Sequence, residues 1–327
     1  MARQSQPASS GRRRLLCGLG LAAAAAGLPA CAPAWSPQST FWQLWPSHLD
    51  LAPQAWRERI AAMHGLGFRE IVIQWVGASG GPRPWQLPAA TLGLIFDEAE
   101  RLGMGLQLGL PYDERWWRQL GDPDDAALAA FLQAAGAAAL DYAGSSPWPR
   151  RAAFRGWYIP YEIEQHSWAA PQRRQRLREW LAGLCAPLAQ QAGAALPIST
   201  YHSKLPGPLS LADLWSELLD AAPLHPMLQD GVGVAGMAAY DALEPLHRML
   251  LARRAPFDLI VELFEELPSE RQDGTTFRAR SADAARVRRQ LRIARGYRAQ
   301  RVAAFAADPW LIGPTPEAER LRRQWPP

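Results

Sequence analysis

The amino-acid sequence predicts an α/β protein of the (β/α)8, or TIM-barrel, class with a single domain. Eight short β-like runs alternate with longer amphipathic stretches, and seven of the eight runs are followed by a helical stretch. The 327 residues exceed the roughly 250 that such a barrel needs. A doubly wound open sheet shows the same alternation, but no glycine-rich phosphate loop follows the first run to support a nucleotide fold.

The first four β-like runs are rich in apolar and aromatic residues and end at polar ones. They span residues 41–45, 70–75, 105–110 and 156–164. The first three lead into helical stretches with apolar residues at helical spacing, which span residues 54–63, 89–102 and 124–142. The fourth leads into the helical stretch 171–191.

The second four units continue the pattern to the C-terminal region. The β-like runs span residues 196–202, 225–230, 259–264 and 301–305. Helical stretches lie between them at residues 211–221, 241–254 and 282–297, and Ser210 is a plausible N-cap for the first of these. We therefore assign the barrel to residues 40–312 and a C-terminal tail to residues 313–327.

The first 30 residues read as a signal peptide. Arg12, Arg13 and Arg14 precede an apolar run over residues 15–28 that is too short to span a membrane, and the pattern also resembles a twin-arginine signal. Residues 28–31 resemble a lipobox, which predicts lipidation at Cys31 and a flexible tether over residues 31–39. Ordinary peptidase cleavage near residues 32–34 is the alternative. Either way we expect export, and the lipobox predicts a lipid anchor in the periplasm or outer membrane.

Charge and cysteine content exclude several classes of function. The formal charge of +4 falls to zero once the four arginines of the first 30 residues are removed, so no basic surface for nucleic acid is expected. Of the three cysteines, Cys185 lies on an apolar helix face and reads as a buried thiol. The six histidines show no metal-binding spacing, and we predict neither a metal site nor a cofactor.

Two glutamates near the ends of apolar runs, Glu162 and Glu262, are the candidate catalytic residues. Burying a carboxylate is costly unless the group is paired or functional. In a closed barrel, strands four and seven would aim both carboxyl groups at one mouth, as cleavage of a glycosidic bond requires. We expect Glu162 rather than Glu164 to point inward, as acid/base in an aromatic setting, with Glu262 as nucleophile.

Further residues at the ends of the β-like runs are candidates for substrate binding. Indole rings stack on sugar faces, while polar side chains bind hydroxyl groups, and a polysaccharide or oligosaccharide is the expected partner. The aromatic candidates are Trp42, Trp45, Trp75 and Trp310, and the polar candidates are Gln74, Tyr112, Asp113, Tyr158, Tyr201, His202, Gln229 and Asp230.

Two motifs, residues 156–162 (GWYIPYE) and 229–233 (QDGVG), carry a family resemblance. At these motifs the sequence resembles an uncharacterised bacterial family of TIM-barrel domains grouped with the glycoside hydrolases. The resemblance implies a barrel with Glu162, Asp230 and Glu262 at its mouth. The chain is also similar to retaining glycosidases whose acid/base ends strand four and whose nucleophile ends strand seven. It departs from them at Tyr161, where that group commonly has asparagine.

The sequence therefore predicts an exported, lipid-anchored glycoside hydrolase that acts through two carboxylates. The alternative is a non-catalytic carbohydrate-binding or exopolysaccharide-assembly lipoprotein that keeps the barrel and the aromatic residues without turnover. A third hypothesis is a metal-dependent hydrolase that uses His202, Asp230 and Glu262.

Overall fold

A computed structural model of the protein describes residues 36–268 and 277–326. Eight parallel strands close into a barrel surrounded by helices, which confirms the predicted (β/α)8 fold. The predicted signal peptide and the lipidation site Cys31 lie outside the described residues.

Thirteen strands occur in the described residues, and eight of them form the barrel. In chain order the strands are β1 (Ser39–Trp42), β2 (Glu70–Ile73), β3 (Gly77–Ser79), β4 (Trp85–Gln86), β5 (Gly105–Gly109), β6 (Tyr112–Asp113), β7 (Phe154–Ile163), β8 (Leu196–Thr200), β9 (Leu224–Gln229), β10 (Asp258–Glu262), β11 (Phe264–Glu266), β12 (Ala279–Ser281) and β13 (Arg301–Ala306). The barrel order is β1-β2-β5-β7-β8-β9-β10-β13, and β13 pairs with β1 to close it. The fourth and seventh barrel strands are thus β7 and β10.

The remaining strands lie in the loops that follow barrel strands. Strands β3, β4 and β6 form a small three-stranded sheet, and β11 pairs with β12 as an antiparallel pair. The sequence analysis did not predict these short strands, because two- or three-residue strands carry too little apolar pattern to be recognised.

Within the residues that the structure describes, the α-helices cover the outside of the barrel or lie in its loops. They are α1 (Pro53–Gly65), α2 (Ala89–Arg101), α3 (Trp116–Gly121), α4 (Asp125–Ser145), α5 (Pro171–Ala192), α6 (Leu211–Ala221), α7 (Val232–Ala235), α8 (Ala239–Arg253), α9 (Ala284–Gly296), α10 (Ala307–Trp310) and α11 (Pro316–Arg323). Two short 3-10 helices cover Pro46–Asp50 and Trp148–Arg150.

Local signals explain where several helices begin. The Asp124 carboxylate accepts hydrogen bonds from the N–H groups of Ala126 and Ala127 at the start of α4. Ser210 caps α6 by accepting from the N–H of Asp213, as predicted. Helix α4 is long and apolar enough to span a membrane by composition alone, but Leu128 and other residues on one of its faces are buried in the barrel's core.

The side chains of alternate strand residues build two cores. Those that point into the barrel form a small inner core of Phe41, Val72, Tyr158, Met227, Ile260, Ala303 and Ala306. Those that point outward pack against the helices in a much larger core. The inner core fills the barrel like a plug, so a substrate can enter only above it, at one end.

The opposite end of the barrel is closed by a buried ionic cluster. Asp258, 1% exposed, accepts from the Arg301 guanidinium at 2.9 Å, and its other oxygen lies 3.0 Å from Nε2 of His225. Arg301 also pairs with Glu70 at 2.8 Å. These residues start four barrel strands, so the cluster joins strands at the end that carries stability rather than chemistry.

The segment after the barrel, described above as a tail, packs on the barrel's surface. Helix α11 begins at Thr315, whose hydroxyl accepts from the N–H of Ala318, and Leu321 is buried. The Trp325 indole N–H donates to the Leu66 carbonyl at 2.9 Å, and its ring lies 5.8 Å from that of Phe68.

Candidate active site

Two adjoining cavities of about 590 and 840 Å³ open at the C-terminal ends of the barrel strands. They share five lining residues, namely Gln43, Trp45, Trp117, Glu162 and Phe305. We refer to the smaller cavity as the aromatic half and to the larger as the apolar half of one mouth. Glu162 stands on the boundary between the two halves, and Glu262 lines the apolar half.

Glu162, the ninth residue of β7, directs its carboxyl group into the mouth. Its Oε1 accepts a hydrogen bond of 2.6 Å from the side-chain amide of Gln229 at the end of β9. Burial raises the pKa of Glu162, and the Gln229 N–H opposes this shift because it stabilises the charged form. A general acid needs a raised pKa, and burial moves the pKa of Glu162 in that direction.

Glu262 ends β10 and is 4% exposed. Its Oε2 accepts a hydrogen bond of 2.7 Å from the backbone N–H of Gly233. The pKa of Glu262 is raised, first by burial and second by the negative charge of Asp230, while Arg286 lowers it. The negative charge of Glu162, which lines the same cavity, makes a smaller upward contribution to the pKa of Glu262.

Asp230 borders the apolar half, but it is 0% exposed and both of its carboxylate oxygens are held by hydrogen bonds within the protein. One oxygen accepts from the backbone N–H groups of Val232 and Glu262, at 3.2 and 3.3 Å. The other accepts from the Tyr240 hydroxyl at 3.0 Å and the Gln290 amide at 2.8 Å. We predicted a substrate contact here, but the carboxylate is turned toward α8 and α9 and instead positions the end of β10.

The aromatic half has a platform of stacked rings. Trp75 stacks on Tyr112 with centroids 4.8 Å apart, and Trp45 meets Trp75 edge-on at 5.8 Å. The Trp75 indole N–H donates to the Leu44 carbonyl, which holds the platform in place. Beside it, Gln74 is 6% exposed, and its Oε1 has no hydrogen-bond partner among the described residues. A ring face next to an unpaired amide oxygen suits a hydroxylated ring such as a sugar.

The apolar half is built largely by the loop after β10 and by α7 and α8. The Phe264 ring lies 5.5 Å from that of Phe277 and 5.8 Å from that of Trp310. Val234 and Leu243 supply aliphatic walls to the same cavity. Tyr201, His202 and Gln229 line its polar edge, toward Glu162.

Three predicted binding residues do not reach the mouth. Trp42 is 0% exposed and faces outward, where its ring packs on Trp56 at 5.1 Å. Tyr158 is 1% exposed in the inner core, below the mouth, with its hydroxyl 2.8 Å from that of Ser199. The carboxylate of Asp113 is held by the Arg115 guanidinium and does not line either cavity. In each case the side chain points away from the mouth or lies too deep.

Several cavity residues were missed by sequence reasoning. Gln43 and Glu114 are the immediate neighbours of the predicted Trp42 and Asp113, so the error was one position along the chain. Trp117 is 44% exposed and lies in α3, a six-residue helix that was not predicted. Tyr240 and Gln290 lie on the helices behind β9 and β10, where nothing in the sequence distinguishes them from core residues.

Glu162 lies in β7 and Glu164 lies just beyond its end, and the two carboxyl groups have different surroundings. Glu162 lines the mouth, whereas the Glu164 carboxylate accepts the backbone N–H groups of His166 and Ser167 and closes a turn. Tyr201, a predicted substrate-binding residue, lines the apolar half, and its pKa is raised first by burial and second by the negative charge of Glu162. Among the described residues, no three His, Cys, Asp or Glu side chains form a metal-binding group.

Comparisons with known proteins agree with this architecture. The family described as "Domain of unknown function (DUF4434)" matches residues 38–320. A search of curated protein sequences finds no match.

Similar solved structures include glycoside hydrolases from several organisms. A Bacteroides thetaiotaomicron protein provisionally described as an α-L-fucosidase is 14% identical with a TM-score of 0.64, over 88% of this chain and 93% of its own. The GH99 endo-α-mannosidase of the same genus is 12% identical with a TM-score of 0.51, over 83% of each chain. The endo-1,4-β-mannanase of Rhizomucor miehei is 10% identical with a TM-score of 0.51, over 82% of this chain and 85% of its own. At such identities the likeness shows the TIM-barrel fold alone, which hosts many unrelated functions.

Proposed function

We propose, on the premise that the chain belongs to the DUF4434 family, that the protein is a glycoside hydrolase that cleaves an oligosaccharide or polysaccharide with Glu162 and Glu262. The observation that carries the proposal is the pair itself. Glu162, which is half-buried, and Glu262, which is buried, line one cavity from the ends of two different barrel strands, next to a platform of stacked aromatic rings. Glycosidic bond cleavage needs two such carboxyl groups, one to give a proton and one to attack or to activate water.

The environments of the two glutamates support different roles within that mechanism. Glu162 stands where the two halves of the mouth meet, so a proton held there would reach the oxygen between a sugar and its leaving group. Glu262 accepts the Gly233 N–H and lies near the Arg286 guanidinium, and both oppose the larger effects of burial and the Asp230 charge, which raise its pKa to about 8. We assign Glu162 as acid/base because it stands where the two halves meet, and Glu262 as nucleophile because it faces the same cavity from β10.

A hydrolysis assay across a glycan panel tests the activity and the site together. We expect wild type to release sugar from at least one glycan and Glu162→Gln to lose about 10²- to 10⁴-fold in rate, the usual contribution of a general acid. Glu179→Gln is the matched control, because Glu179 is exposed on α5 and does not line either cavity. Wild type that binds a glycan without cleaving any, with binding unchanged in Glu162→Gln, would instead identify a carbohydrate-binding protein.

The roles can be separated with aryl glycosides of the sugar that the panel identifies. A phenol with a low pKa leaves without a proton, so Glu162→Gln should cleave its glycoside at close to the wild-type rate for the first step. Glu262→Gln should be slow on good and poor leaving groups alike, because the nucleophile is missing in both. The reverse pattern would exchange the two roles. A carboxyl separation of about 5 to 5.5 Å in a ligand complex would agree with retention of configuration, and one of roughly 6.5 to 9.5 Å with inversion.

Export and lipid anchoring are part of the same proposal and rest on the sequence of the first 31 residues. Expressed in a bacterial host, the full chain should incorporate a labelled fatty acid and fractionate with membranes. Cys31→Ser should abolish labelling, while Cys17→Ser should keep it, because only Cys31 follows the lipobox-like residues. Label retained in Cys31→Ser would refute the anchor.

A further inference from the structure

The two halves of the mouth differ in chemistry, and the difference lies on either side of Glu162. In the aromatic half, stacked rings stand beside polar side chains such as Gln43, Gln74 and Glu114. In the apolar half, Phe264, Phe277 and Trp310 line one wall of a cavity of about 840 Å³ together with aliphatic side chains, while polar side chains such as Tyr201 and His202 line its other side.

The apolar half is open to solvent although several of its wall residues are large and apolar. Phe277 is 54% exposed and Val234 is 46% exposed, and both line this cavity. Large apolar side chains gathered around a concave surface mark a binding site more often than chance exposure. Phe264, in contact with both Phe277 and Trp310, fixes the shape of the wall.

The cavity continues directly into the catalytic pair. Glu162 and Glu262 both line it, together with the aliphatic and aromatic walls. A bound group there would be joined to whatever occupies the aromatic half through an atom near Glu162. The only bond of a glycoside at such a boundary is the one between the sugar and its aglycone.

We infer that the oligosaccharide substrate carries an apolar aglycone, with the sugar next to the cleaved bond in the aromatic half and the alkyl or aryl group in the apolar half. This inference rests on the proposed function for the reaction. It adds the substrate class, and it assigns Phe277 and Val234 as specificity-determining residues. Hydrolysis would release the free sugar and an apolar alcohol or phenol, with water supplying the oxygen and proton.

A matched pair of substrates tests the inference. For the sugar that the glycan panel identifies, we expect the octyl glycoside to have a kcat/KM at least about 10-fold above that of the methyl glycoside, because several buried methylene groups contribute to binding. Phe277→Ser and Val234→Ser should each reduce that ratio severalfold. Ile293→Ser is the control, since Ile293 is 36% exposed on α9 and does not line the mouth. Equal rates for octyl and methyl glycosides would overturn the inference and leave the hydrolase intact.

Direct binding of n-octanol tests the apolar site independently of the hydrolytic activity. Octanol should change the intrinsic tryptophan fluorescence, because Trp310 lines the cavity, and Phe277→Ser should weaken its binding about 5-fold or more. Saturable, Phe277-dependent binding without hydrolysis of any glycoside would support the apolar site and refute the hydrolase. Octanol binding that is the same in wild type and Phe277→Ser would refute the apolar site.

Discussion

Replacing Asp230 by asparagine should separate the charge of this residue from its hydrogen bonds. The carboxylate accepts four hydrogen bonds and lies beside Glu262. Asparagine keeps the shape and one oxygen, so the N–H groups of Val232 and Glu262 retain an acceptor. Its amide nitrogen would face Tyr240 and Gln290, and both can adapt. The Tyr240 hydroxyl can accept, and Gln290 Oε1 has no partner among the described residues.

The expected loss of stability follows from these four bonds. A hydrogen bond to a charged acceptor contributes about 2 kcal/mol and one to a neutral acceptor about 1 kcal/mol, so the charge accounts for up to about 4 kcal/mol. Removing the buried negative charge of Asp230 offsets part of this, because that charge no longer has to be desolvated. We expect Asp230→Asn to lower the free energy of unfolding by about 2 kcal/mol at pH 6.

The size of that loss should depend on pH in a defined direction. Burial and Asp230 raise the folded-state pKa of Glu262 above the ordinary 4.5. Between the unfolded and folded pKa values, Glu262 binds more protons in the folded protein than in the unfolded chain. The contribution of Glu262 to stability is therefore fully present below pH 4.5 and is lost as pH rises through the raised pKa. Without the Asp230 charge, the pKa of Glu262 drops and this fall becomes smaller.

Urea unfolding followed by tryptophan fluorescence at pH 6 and pH 9 measures the effect. The deficit of Asp230→Asn relative to wild type should be smaller at pH 9 than at pH 6 by about 1.4 kcal/mol for each unit by which the pKa of Glu262 drops. Asp141→Asn, at an exposed position on α4, should show no such change. Equal deficits at the two pH values would refute the like-charge argument, and a deficit near zero at both would refute the hydrogen-bond count.

Three further predictions concern the core, the closed end of the barrel and the pH dependence of activity. Trp42→Ala should cost about 3 to 5 kcal/mol in urea unfolding, since the ring is fully buried. Arg301→Met should destabilise by about 3 to 5 kcal/mol by the same measurement, because it leaves the buried carboxylate of Asp258 without its main partner. Gln229→Met removes the N–H that favours charged Glu162, so the pKa assigned to Glu162 in a profile of kcat/KM against pH should move upward; a profile that stays in place would separate Glu162 from that pKa.

The order of strands and the positions of the two glutamates could be predicted because both depend on local pattern. An apolar run of five or six residues favours a strand wherever it lies in the chain. A closed barrel then brings the C-terminal ends of all eight strands to one mouth. Glu162 and Glu262 were therefore placed at the same end before any coordinates were known. Their roles in catalysis stay predictions until activity is measured.

The direction of individual side chains was harder to predict. Period-2 alternation decides whether a strand residue faces the barrel interior or the helices, but it holds only while the strand lasts. Trp42 ends β1, and Gln43, one residue later, is the one that reaches the mouth. Tyr158 points inward as alternation predicts but lies four residues before Glu162, too deep to meet a substrate.

The sequence by itself determined the fold class, the count of strands and the end of the barrel at which the carboxyl groups gather, because apolar periodicity is read over a few residues. Only the tertiary structure decided that Asp230 is held by Tyr240 and Gln290 and that the mouth has an aromatic and an apolar half. These features join residues that are tens to hundreds of positions apart in the chain. Their contacts exist only once the barrel has closed, and no local pattern records which helix face or loop will lie against which strand end.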